Sequence, residues 1–357
     1  MEAYDHDDYE RLLDDMAEAG MNSLVVVVKW ITTGYRSKLP FLDQLPGNAM
    51  IESDNELLRT TIIMARERGI RVWIGAVVSL YVVERFGGTP YAIHDSFPGG
   101  FPCVPFGIYD ADHPEFTERA VLICEELISL FPDVSGLMVE LEGCGQETPD
   151  RIPLYESWAA ERGKRSFNEL GHPFNPRCFD APEWRDYTTY RRTEVLRAIE
   201  SAVRERGFSG ELATIFESSA TQSGITMEVN LAMMREQCPN WSGIGYEHDK
   251  WNHRYGSMDV NVESPREFGH RISLIPRGVM TWCDVWPMPI SIQENWRRDV
   301  EDIELFRPDG AWWFGTGTRN EGAGTALSRL RDLGFSSGEE ARRALLNATR
   351  SLRGRSR

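Results

Sequence analysis

Apolar and polar positions follow one another in blocks along this chain, and the blocks repeat. "DDYERLLDDMAEAG" begins with acids, sets Leu12, Leu13 and Met16 on one stripe and stops at Gly20, which is the spacing of an amphipathic helix. "SLVVVVKW" (23–30) follows as a continuous β-branched run, the pattern of a strand covered on both faces. "SDNELLRTTIIMARERG" repeats the helix, with Ser53 or Asp54 as cap, a stripe of Leu57, Leu58, Ile62 and Ala65, and Gly69 as stop. "RVWIGAVV" (71–78) is the next strand, with Trp73 read as a core residue. Residues 81–111, rich in Gly, Pro and aromatics, predict a long ordered loop. A helix opened by Asp112 and Pro114 runs through Leu130, and "GLMVELE" (136–142) is its strand.

The second half keeps this rhythm. Residues 143–181 form another insertion, and Pro182 opens a helix to about Arg206. "ELATIFES" (211–218), "GIGYEHD" (243–249), "MDVNVES" (258–264), "GVMTWCDV" (278–285) and "GAWWFGT" (310–316) are the later strand candidates. Eight strands alternating with helices predict parallel pairing. We therefore expect an α/β fold, a (β/α)8 barrel in one catalytic domain over 1–357, with loop insertions at about 81–111 and 143–181. One spacing runs against a regular barrel: the eight residues between Asp249 and Met258 are too few for a helix.

The 357-residue length suits such a barrel, and 41% apolar with 26% charged residues suits a globular chain with ample core. The net charge of −16 argues against nucleic acid or an anionic membrane as partner. Neither a signal peptide nor a membrane-length apolar run is visible, and six cysteines lack any CxxC pairing. The expectation is a cytoplasmic protein with free thiols and no cysteine metal site. The oligomeric state is left open.

Carboxylates recur at the C-terminal ends of the predicted strands: Glu142, Glu217, Glu247 with Asp249, Glu263 and Asp284. In a (β/α)8 barrel that rim holds the active site. Aromatics gather there too, among them Trp251, Trp282 and Trp286. Aromatic faces stack on sugar rings while carboxylates accept from hydroxyls. Glycoside hydrolysis needs one protonated carboxyl and one ionised one, and crowding raises the pKa of one of them. In "SGLMVELEGCG" (135–145) the strand period of two puts Glu140 and Glu142 on one face. Glu142, at the tip, is the predicted general acid. Glu140 is the deeper tuning group, or else a partner for a cation such as Lys29.

"FPDVSGLMVELEGCGQ" resembles the strand of α-glucuronidases and related (β/α)8 glycosidases that runs apolar into an E-G. The resemblance implies that Glu142, followed by Gly143, is the general acid. It also implies an inverting mechanism with acids from the next two strands, by position Glu217 and Glu247, flanking the attacking water. Here the first of these is Glu rather than Asp. A uronic acid in the substrate would need a cation, for which Lys29, Arg36, Lys250, Arg254 and Arg319 are available. The stretch is also similar to the chitinase-type D-G-x-D-x-D-x-E strand, but Ser135, Met138 and Glu140 replace its aspartates and only Glu142 matches.

The sequence thus points to a glycoside hydrolase of an oligosaccharide, with no cofactor and no metal. Catalytic candidates are Glu142, Glu217, Glu247 and Asp284. Substrate-binding candidates are Glu140, Lys29, Trp251, Trp282, Trp286 and Asp249. Two other readings stand beside it. "YEHDKWNH" (246–253) gathers ligand types for a divalent ion, as in a metal-dependent sugar isomerase or epimerase. A non-catalytic carbohydrate-binding barrel would show the same rim.

Overall fold

The computed structural model describes residues 5–19, 21–28, 35–40, 55–78, 80–82, 91–92, 106–108, 115–141, 152–170, 181–221, 224–227, 229–247, 272–275 and 310–311. The β-branched run forms β1 (Ser23–Val28), parallel to β2 (Arg71–Val77). The sheet continues through β6 (Gly136–Glu140), β7 (Glu211–Thr221), β9 (Trp241–Glu247), β10 (Ile272–Ile275) and β11 (Gly310–Ala311). Each is parallel to the one before. Spatial order equals chain order, β1-β2-β6-β7-β9-β10-β11. A doubly wound sheet reverses its order at a switch point. A one-way progression with helices between strands is the winding of a (β/α)8 barrel, and seven of its parallel strands lie among the described residues.

The helices are α1 (His6–Ala19), α2 (Asn55–Glu67), α3 (Phe116–Leu130), α4 (Ile152–Glu161), α5 (Pro182–Glu205) and α6 (Leu231–Gln237). The apolar stripes of α1, α2 and α3 face the sheet. Leu13 and Met16 of α1, Leu58 and Ile62 of α2 and Ile123 and Leu127 of α3 join Val72, Ile74, Leu137, Val139 and Leu212 in one buried core. Burying a side chain of that size contributes about 1.5–3 kcal/mol. Among the described residues, no helix is long and apolar enough to cross a membrane.

Three departures from the sequence reading are informative. The 81–111 loop contains a small antiparallel sheet, β3 (Leu80–Val82), β5 (Phe106–Ile108) and β4 (Tyr91–Ala92), in that order. β7 outruns its neighbours and turns back through β8 (Gly224–Met227), which pairs with it antiparallel. Among the described residues the sixth parallel strand is β10, "ISLI", which pairs with β9 on one side and β11 on the other. Both flanks of β10 are thus taken; the strand candidates 258–264 and 278–285 lie outside the described residues. Residues 248–271, which include the short spacing noted above, lie outside the described residues.

The register defines two sets of strand positions. The outer set (Val72, Ile74, Ala76; Leu137, Val139, Leu141; Leu212) belongs to the helix-facing core. The inner set takes the alternate residues: Trp73, Gly75 and Val77; Gly136, Met138 and Glu140; Glu211, Ala213, Ile215 and Glu217. Trp73, 4% exposed, lies beside Gly136 in this register, and a Cβ on Gly136 would come within 2.5 Å of its indole. Glycine is required there by space, not by backbone angle. Gly136→Ala is expected to cost about 1–3 kcal/mol, as overpacking of a tight interior does. Chemical denaturation would register it as a lower midpoint with an unchanged slope.

Candidate active site

The C-terminal ends of the parallel strands carry the candidate chemistry. β6 ends at Glu140, which is partly exposed, followed by buried Leu141. The Val78 amide donates to the Glu140 carbonyl at 3.2 Å. Glu140 lies in register with Val77 on one side and Ile215 on the other. Glu217, two positions beyond Ile215, keeps the inner-set parity of Glu140, and the two backbone positions stand roughly 8 Å apart at ordinary strand spacing and rise. Glu217 is in register with Tyr246, and Ser218 with Glu247. Position 247 therefore falls in the alternate set, while positions 140 and 217 have the same parity. Glu142, Lys29, Asp249, Trp251, Trp282, Asp284 and Trp286 lie outside the described residues.

Glu211, at the opposite end of β7, is an inner-set carboxylate with a structural partner. Arg71 Nη1 meets its Oε1 at 2.9 Å and Arg71 Nη2 donates to Ser23 Oγ at 3.2 Å. This pair ties β1, β2 and β7 together at the N-terminal end of the sheet, away from the rim where barrel chemistry occurs.

Behind β6 stands α5. Pro182 occupies its first helical position, where a missing N–H costs nothing. Its 24 residues make a rod of about 36 Å, roughly twice the length of the five-residue β6. Val195, Leu196, Ile199 and Val203, in the C-terminal half, pack into the main core. Trp184 and Tyr187, in the N-terminal half, pack into a second core with Tyr155, Trp158, Ala159 and Leu170 of the insertion. Between the halves sits Arg192, 3% exposed, whose Nη2 donates to the Leu141 carbonyl at 3.2 Å. The sequence reading missed Arg192. Its signal was present: Thr188, Arg192, Val195 and Ile199 follow helical spacing on the buried stripe, and a cation there is out of pattern.

The chain after β1 is fastened to α3. Glu126 accepts from the Tyr35 hydroxyl, from Ser37 Oγ at 2.5 Å and from the Lys38 amide at 2.5 Å. Burial and the neighbouring Glu126 carboxylate push the Tyr35 hydroxyl well above the usual phenol range. Arg36, one of the cations considered for a uronate, is exposed, and its backbone exchanges hydrogen bonds with the Asn55 side chain.

The insertion is clamped to α5 by charge as well as by aromatics. Arg165 donates to both oxygens of Glu183, at 2.7 and 2.8 Å. That hydrogen-bonded pair lowers the Glu183 carboxyl below its usual range. A carboxylate whose folded-state pKa is depressed contributes stability above its unfolded pKa, about 4.3, and that stability is lost as pH falls through the lower folded value. Acidification from pH 5 to pH 3 is thus expected to loosen 152–170 first, seen as faster proteolysis within that segment while the sheet resists.

Among the described residues, His6, Asp7 and Glu10 form the one grouping of ligand types close enough to share an ion, and all three are exposed on α1. Cys124 and Cys238 are free and buried. Burial pushes the Cys238 thiol up to about 12.

No family model and no curated protein matches this chain. Solved structures do. The catalytic domain of β-amylase from Paenibacillus polymyxa aligns at 10% identity and TM-score 0.52 over 87% of this chain and 91% of that one. The PgaB (BpsB) glycoside hydrolase domain from Bordetella bronchiseptica aligns at 12% identity and TM-score 0.54, over 96% and 97%. β-Galactosidase from the psychrophilic Marinomonas ef1 aligns at 14% identity and TM-score 0.56, over 96% of this chain but only 58% of that one. At such identities the likeness carries the (β/α)8 fold.

Proposed function

We propose that this chain is a glycoside hydrolase acting on an oligosaccharide, from one catalytic domain and without a cofactor. One placement carries the reading: carboxylate residues Glu140 and Glu217 share the inner set at the C-terminal ends of neighbouring parallel strands. The fold in which they do so is shared with a β-amylase, a β-galactosidase and the PgaB glycoside hydrolase domain.

Glu142, two residues beyond Glu140, gives its proton to the glycosidic oxygen as the bond to the anomeric carbon breaks. Glu217, ionised, either takes the proton of the attacking water or attacks the anomeric carbon itself. In the second case water then releases the sugar, and Glu142 takes that water's proton. Glu140, as a like charge, holds the acid protonated to higher pH. The parity that position 217 shares with position 140 supports Glu217 as the first partner for Glu142, with Glu247 and Asp284 behind it. Trp251, Trp282 and Trp286 would stack on sugar faces, and Asp249 and Lys29 would bind hydroxyls or, for Lys29, the carboxylate of a uronic acid.

The test is turnover of a panel of aryl glycosides and oligosaccharides, uronides included, with the product anomer followed by proton NMR. Net inversion assigns Glu217 as base, and retention assigns it as nucleophile. Binding of oligosaccharide without any turnover would replace this reading by a carbohydrate-binding barrel. Interconversion of free sugars abolished by a chelator would replace it by the metal-dependent isomerase or epimerase.

A further inference from the structure

A buried guanidinium is a costly way to pack a helix against a strand. Desolvating the charge costs several kcal/mol, and a methionine would fill similar space without that cost. What arginine adds is direction, because its planar fork holds its donors at fixed angles. Arg192 aims one of them at the Leu141 carbonyl oxygen, 3.2 Å away. That oxygen belongs to the rigid peptide plane joining Leu141 to Glu142. The preceding carbonyl, that of Glu140, is held by the Val78 amide. Two successive carbonyls at the end of β6 are therefore gripped from two sides, by β2 and by α5.

The helix that carries the grip is itself fixed at this level. The Thr193 hydroxyl has two acceptors in reach for its one proton, Gln237 Oε1 of α6 at 2.6 Å and the Tyr190 carbonyl of α5 at 2.8 Å. Thr189 Oγ accepts from the Asn230 amide at 2.7 Å, and Asn230 caps α6 by accepting from the Met233 amide. Cys238 Sγ sits against the Thr193 carbonyl at 3.7 Å. α5 is thus tied to α6 just beside Arg192, which fixes the backbone that carries the guanidinium.

We propose that Arg192 is a positioning residue: through the Leu141 carbonyl it holds the end of β6, the strand that Glu142 follows in the sequence. The inference rests on the reading of Glu142 as proton donor. A displacement of the acid by about an ångström would cost turnover up to roughly 100-fold without weakening substrate binding.

The experiment compares Arg192→Met, Arg192→Lys and Glu142→Gln on two substrates, one with a poor leaving group and one activated aryl glycoside. Arg192→Met is expected to lower kcat roughly 10- to 100-fold on the first, with KM unchanged and far less loss on the second. Arg192→Lys should recover part of it. An equal loss on both substrates, tracking the folded fraction, or no loss at all, overturns the proposal. If Glu142→Gln fails to separate the two substrates, the proton-donor reading falls instead. Amide exchange then decides the arginine's role independently. Arg192→Met should speed exchange across 139–143 by about tenfold while β2 and β9 keep their protection. Unchanged exchange there sinks the proposal whatever Glu142 does.

Discussion

Replacing Glu142 by glutamine is expected to slow hydrolysis of glycosides with poor leaving groups by about 100- to 10,000-fold, the range that general acid catalysis supplies. Glutamine keeps the shape of glutamate and has no proton to give. An alkoxide leaving group needs that proton, whereas a nitrophenolate departs without it, so the activated substrate should lose far less. KM should stay near its wild-type value, since the lost interaction strengthens only as the bond breaks. Steady-state kinetics on the paired substrates reads this directly, and full activity of the variant on the poor leaving group would remove Glu142 from the mechanism. Glu140→Gln provides a matched contrast. The acid must be protonated to work, so its pKa sets the basic limb of the kcat/KM profile. Removing a neighbouring negative charge lowers that pKa, and the basic limb should move to lower pH with the plateau largely kept.

The sequence carried the fold where local pattern and burial agree. A β-branched run such as 23–28 reads as a strand covered on both faces, and the Leu57–Leu58–Ile62–Ala65 stripe reads as the face of a helix laid against it. β10 escaped because four residues, "ISLI", give too short a signal to stand out from the more strongly patterned 258–264 and 278–285. The β3–β5–β4 sheet escaped for a related reason. Strands of two or three residues are fixed by their pairing partners and not by their own periodicity.

At the site, alternation within β6 was enough to give Glu140 its face, because period two is local. The parity of Glu217 against Glu247 was not legible. It depends on how β7 and β9 are offset, and register between two strands is set by the packing of both. Arg192 shows a third limit. Its place on the buried stripe was readable, but its acceptor, the Leu141 carbonyl, lies 51 positions away in the chain, and a backbone oxygen leaves no mark on sequence.

Trp184→Ala is expected to be the most damaging substitution to stability in the second core, costing about 3–5 kcal/mol as large aromatic truncations in tight cores do. Trp184 is fully buried, with ring centroids of Tyr155, Tyr187 and Phe167 at 5.2, 5.5 and 5.6 Å. Its loss removes an apolar surface and three ring contacts at once, and neighbours drawn from α4, α5 and the 167–170 turn cannot all collapse into the same hole. The damage should be local. The two buried clusters share no residue, so the barrel core does not depend on this ring. Hydrogen exchange should show 152–170 and the first turns of α5 opening while β2, β6 and β7 remain protected, with a new low-temperature transition preceding the main one. Ile63→Ala, at a side chain 53% exposed on α2, should move neither by more than about 0.5 kcal/mol. A single cooperative transition lowered as a whole would mean instead that α5 transmits the loss into the barrel. Because Arg192 stands where the two halves of α5 meet, that outcome would make the insertion a determinant of how β6 ends, and activity on poor leaving groups should then fall with stability.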